Sequence, residues 1–143
     1  MNTKIKYWLR WVAVLPGAFI AGLLITLPLH LLLYMAFAYN GMLFGIIELP
    51  PRADIGIEYT IYPFFIAVAF ILAGYKIAPK YKFRTAIVLF GIYTILWLVV
   101  SLMSLFGGNI YGFNAQFSGR TVLAFLGAIL GLYLARQDAK KNN

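Results

Sequence analysis

From residue 85 to residue 106 the chain runs 22 residues without a charged side chain. As an α-helix rising about 1.5 Å per residue, that run is about 33 Å long. A hydrocarbon core is about 30 Å thick, so the run is long enough to cross it. Three more apolar stretches, at about 11–37, 59–77 and 118–135, fit the same description. The expected fold is all-α: a single polytopic membrane domain over residues 1–143, with four transmembrane helices in a small bundle.

Composition supports that reading. Charged residues make up 11% and hydrophobic residues 63% of the chain. A soluble domain carries about a quarter charged residues to cover its surface, so the missing polar face is assigned to lipid. The net charge of +8 would suggest nucleic acid on a soluble protein. Here the bases sit at span ends, where they set orientation and meet anionic headgroups, and no nucleic-acid partner is expected. There is no cysteine, which excludes disulfides, thiol catalysis and thiolate metal sites.

The first apolar run, from Trp11 to Tyr39, would reach about 44 Å as straight helix. Pro28 shortens the problem: it removes a hydrogen bond and clashes with the carbonyl of Leu24, predicting a kink. Pro16 should strain the carbonyl of Val12 in the same way. Lys4, Lys6 and Arg10 with Ala36-Phe37-Ala38 imitate a signal peptide, but the run far exceeds an h-region of about 7–15 residues. It reads as a retained span. Pro63 falls in the first turn or so of the second span, where proline is best tolerated. The fourth span is short, so Arg120 and Arg136 are expected to snorkel out at its ends.

Orientation follows from the bases. With both termini inside, the cytoplasm receives Lys4, Lys6, Arg10, Lys76, Lys80, Lys82, Arg84, Arg136, Lys140 and Lys141, ten of the twelve Lys and Arg. Arg52 and Arg120 remain outside. Short Lys/Arg-rich loops stay cytoplasmic, so the basic loop 78–84 is placed inside and loops 40–58 and 107–117 outside. The bias argues against a dual-topology dimer. The expected location is the plasma (inner) membrane. Within the first outer loop, segment 41–49 reads either as an interfacial segment or as a re-entrant loop.

Candidate functional residues are few. His30, Glu48, Asp54, Glu58 and Arg120 are all placed near the outer face. They could bind a cation or relay a proton. Alternatively, Glu58 or Glu48 pairs with Arg120 to pin the two outer loops while His30 bonds a backbone carbonyl. No metal-ligand spacing and no nucleophile–base motif is present, so no catalytic residue, metal or cofactor is assigned. Thr26, Thr94, Ser101 and Ser104 are expected to bond their own backbone or a neighbouring helix. Tyr93 and Trp97 read as packing residues. Gly17, Ala21 and Gly22 on the first span, and Gly127 and Gly131 as a GxxxG on the last, form small-residue faces for close helix contact. They are expected to meet each other inside the protomer.

Three functions fit these residues. The first is a non-catalytic accessory or scaffold subunit of a larger membrane complex, or a small homo-oligomer, with the lipid bilayer as its setting. The second is a small oligomeric transporter or channel that uses the outer polar layer. The third is an enzyme acting on a lipid or an isoprenoid-linked substrate, which would need a pocket with convergent polar groups.

Overall fold

The computed structural model describes residues 3–36, 42–43, 47–48, 53–106 and 114–141. In chain order the elements are α1 (Thr3–Leu24), α2 (Thr26–Ala36), strands β1 (Met42–Leu43) and β2 (Ile47–Glu48), α3 (Ala53–Ile77), α4 (Lys82–Phe106) and α5 (Asn114–Lys141). Four helical stretches are long and apolar enough to cross a membrane: Tyr7–Ala36, Gly56–Ile77, Lys82–Met103 and Gly119–Lys141.

The helices overrun the apolar windows read from sequence. The loop expected at 40–58 already contains β1 and β2, paired antiparallel as Met42 with Glu48 and Leu43 with Ile47, and α3 begins at Ala53. Likewise α5 takes in residues 114–117 of the other expected outer loop and continues past residue 135 to Lys141. At the basic loop, α4 starts at Lys82, leaving only residues 78–81 as the turn. Pro63 therefore lies inside α3 rather than in its first turn.

Pro28 acts as expected. The helix breaks at Ile25, between α1 and α2, next to the Leu24 carbonyl that Pro28 cannot serve. Ile25 N–H still donates to the Ala21 carbonyl at 3.1 Å, and the Thr26 hydroxyl donates to the Leu23 carbonyl at 2.6 Å. Side chain and backbone together limit the break to one residue. Pro16 sits inside α1 without interrupting it.

One helix organises the packing. α3 touches α1, α2, α4 and α5, and its contact with α5 is the most extensive. Thr60 lies beside Gly119, Phe64 beside Gly127, and Val68 and Ile71 beside Gly131, while the Tyr75 hydroxyl bonds Asp138. Residue numbers rise together along this seam, so α3 and α5 run parallel. Against α1 they run in opposition: Gly17 faces Ile77, and Gly22 faces Ile66 and Phe70. Against α4 they do so again, with Leu89 at Gly74 and Tyr93 at Phe70 and Pro63. The four long apolar stretches therefore alternate in direction. The start of α1, the end of α3, the start of α4 and the end of α5 then share one end of the bundle, which carries Arg10, Lys76, Lys80, Lys82, Arg84, Arg136, Lys140 and Lys141.

The interior is lined by small side chains. Ala18, Ala67, Ala86, Ala124, Ala128 and Ala135 are wholly buried, which lets helix backbones approach closely. Gly127 is the tightest such contact in the seam: a Cβ there would run into the backbone of Phe64. The sequence expectation that the two small-residue faces meet each other is corrected here. Both faces are used inside the protomer, but each packs on α3: Gly17 and Gly22 against Ile77, Ile66 and Phe70, and Gly127 and Gly131 against Phe64, Val68 and Ile71.

Candidate functional site

At the end opposite the bases, His30 on α2 and Glu58 on α3 come together. The antiparallel register that sets Gly22 against Ile66 carries the two helices on until these side chains meet. His30 Nδ1 lies 2.6 Å from Glu58 Oε1. A carboxylate is an acceptor, so Nδ1 carries the proton in this contact. The Tyr62 hydroxyl, one helical turn along α3, donates to the same Oε1. The imidazole is 60% exposed and the carboxylate 21%, so the pair sits at the rim of the bundle.

The expectation paired Glu58 or Glu48 with Arg120, and the Glu48 alternative lies outside the described residues. Arg120 does not take Glu58 in the contacts described; its guanidinium lies over the Tyr59 ring, 5.4 Å from the centroid. His30 bonds the carboxylate rather than a backbone carbonyl. The cation–π stack couples α5 to α3 at the level where Glu58 couples α2 to α3. Three of the five expected residues thus take part in two contacts, His30–Glu58–Tyr62 and Arg120–Tyr59. Glu48 is placed in β2 and Asp54 in the first turn of α3; their side chains lie outside the described residues. Among the described residues, no group of three or more metal-ligating side chains forms.

A second feature lies between the ends, on the side of α3 away from α5. Near the basic end, Ala18 of α1 and Leu89 of α4 close around Gly74. Further along, α1 and α4 part and leave a cleft of about 230 Å³ floored by Ile66 and Phe70. Phe19, Gly22 and Leu23 form one wall, and Tyr93, Leu96, Trp97 and Val100 the other. The polar atoms beside it are already committed. Tyr93 donates to the Pro63 carbonyl at 2.9 Å, and Trp97 Nε1–H donates to the Tyr93 oxygen at 2.6 Å. Tyr93 is therefore a packing residue that ties α4 to α3, with its ring 5.9 Å from that of Phe70.

Of the hydroxyls expected to bond locally, Thr26 does so. Thr94 Oγ1 and Ser101 Oγ are buried with no hydrogen-bond partner among the described residues. Two features escaped sequence reasoning. The cleft is made by the divergence of α1 from α4, which no local pattern encodes. The bond between Tyr75 and Asp138 joins residues 63 positions apart. Comparison of the chain with protein-family models, with curated proteins and with solved structures gives no match in any of the three.

Proposed function

We propose that the protein is a non-catalytic accessory subunit that packs into a larger membrane assembly, or against further copies of itself, through the cleft between α1 and α4. In this reading it sits in the plasma membrane with both termini in the cytoplasm, as the basic residues at one end favour. The cleft is the observation that carries the proposal. Pockets for small-molecule ligands run to about 300–1,000 Å³ and aim a few polar groups at the guest. This one holds about 230 Å³ and its polar atoms bond one another. It suits apolar side chains of a neighbouring helix, with Trp97 the kind of residue that dominates interface energetics.

Native mass spectrometry after gentle extraction tests the proposal. A defined hetero-complex or homo-oligomer is expected, and it should be lost when Leu23 and Val100 at the cleft rim are both changed to Trp. The doubly substituted protein should keep its thermal midpoint. A bare monomer under these conditions, or an assembly indifferent to the plugged cleft, would overturn the proposal.

The His30–Glu58–Tyr62 cluster favours a second reading, a small oligomeric transporter. Ionisable residues at membrane depth are costly and commonly mark ion pathways. Proton or ion flux in liposomes distinguishes the two. Flux that is absent, or unchanged by His30→Ala and Glu58→Gln, removes this site from consideration.

A further inference from the structure

We infer that the last turns of α5 form a binding site for an anionic phospholipid, at the end of the bundle opposite the His30–Glu58 pair. A surface cleft of about 380 Å³ is lined there by Tyr133, Arg136, Gln137, Lys140 and Lys141. Three of its five lining residues are cations. Gln137 Nε2–H donates to the Tyr133 hydroxyl at 2.5 Å, which holds two of the walls in place. Asp138, the one acidic residue in these turns, bonds Tyr75 of α3 and is not among the lining residues. The cleft therefore offers a guanidinium and two ammonium groups. A guanidinium can grip phosphate oxygens in bidentate fashion.

The chemistry below the cleft selects a lipid over a free anion. Leu126, Ile129, Leu130 and Tyr133 recur at helical spacing on α5, and all are exposed. Residues three and four apart share one face of a helix, so this apolar stripe leads directly into the basic cleft. A phosphodiester headgroup fits between Arg136 and Lys140, and its acyl chain lies along the stripe. The site stands apart from the α1–α4 cleft and does not depend on it.

The test measures lipid binding to the full-length protein in detergent by native mass spectrometry. The probes are dioleoyl phosphatidylglycerol, dioleoyl phosphatidylcholine and inorganic phosphate. A base close to an anionic headgroup contributes about fivefold in binding. The expected preference for phosphatidylglycerol over phosphatidylcholine is about tenfold or more, and inorganic phosphate in excess should not displace the lipid. R136Q/K140Q/K141Q should abolish the preference. K76Q/K80Q/K82Q, which removes as many charges from the α3–α4 region, should keep it. Equal loss in both variants would show diffuse charge rather than a site. A preference retained by the α5 variant, or displacement by inorganic phosphate alone, would equally overturn the inference.

Discussion

The two sides of α3 solve the same packing problem differently. Toward α5, small residues let two backbones touch, and Gly127 has no room for a Cβ because Phe64 backbone atoms occupy it. Toward α1 the contacts are looser: Gly17 faces the Cδ1 tip of Ile77, and Gly22 faces Ile66 Cγ2 at 3.3 Å and the Ile66 carbonyl at 3.5 Å. Past Gly22 the second side opens into the cleft with α4. The difference is sharpest between Gly127, closed by the Phe64 backbone, and Gly17, closed by the tip of the Ile77 side chain. The second side is the one on which the proposed docking would take place.

The largest expected effect is a direct test of that difference. Gly127→Ala should destabilise the protein by about 3 kcal/mol, the upper range for overpacking a tight core, because backbone cannot step aside. Gly17→Ala should cost no more than about 1 kcal/mol, since a rotamer change of Ile77 relieves the contact and alanine favours the helix. Reversible unfolding in mixed micelles gives both values. Equal losses would mean that the two sides are equally rigid, and the distinction would fail.

The polar end supplies the next effect. α2 is separated from α1 by the break at Ile25 and carries large exposed side chains such as Leu27, Leu31 and Met35. Its link to α3 through His30 is thus the polar counterpart of the apolar contacts that hold α1. Glu58→Gln weakens acceptance from both His30 and Tyr62, and should cost about 1–2 kcal/mol, as expected when charged hydrogen bonds are lost. His30→Ala removes one exposed contact and should cost about 0.2–1 kcal/mol. Hydrogen exchange should rise across residues 26–36 in both variants and stay unchanged in α5. Unchanged exchange in α2 would show that apolar contacts alone hold it.

Much of this architecture was legible, for identifiable reasons. Apolar run length locates the spans because lipid thickness fixes how long they must be, and Pro28 located the break because its missing N–H acts on a known carbonyl. Helix ends were less legible. Residues 53–58 and 114–117 are helical although polar side chains interrupt the hydropathy there, since backbone hydrogen bonding does not require apolar side chains. Helix pairing was the least legible. The patches around Gly17 and Gly127 announce that something approaches closely, but not what; the partner of both is α3, through Phe64, Ile66 and Ile77. At the polar end, helical rise placed His30, Glu58 and Arg120 in one layer. It could not show that Arg120 would stack on Tyr59 or that His30 would bond Glu58.

The smallest expected effect compares two hydroxyls on α4. Thr85 Oγ1–H donates to the Tyr81 carbonyl at 3.3 Å, near the basic end where α4 begins. Thr94 Oγ1 is buried with no hydrogen-bond partner among the described residues. Exchanging a bonded hydroxyl for a methyl loses about 0.5–1.5 kcal/mol, whereas removing an unbonded one ends a desolvation penalty. Thr85→Val should therefore destabilise by about 1 kcal/mol, while Thr94→Val should be neutral or stabilise by up to about 1 kcal/mol. The same micelle unfolding measurement decides it. If Thr94→Val costs as much as Thr85→Val, its hydroxyl has an acceptor in the folded protein. The interior along α4 would then hold a further polar contact, and the transport reading would gain on the docking one.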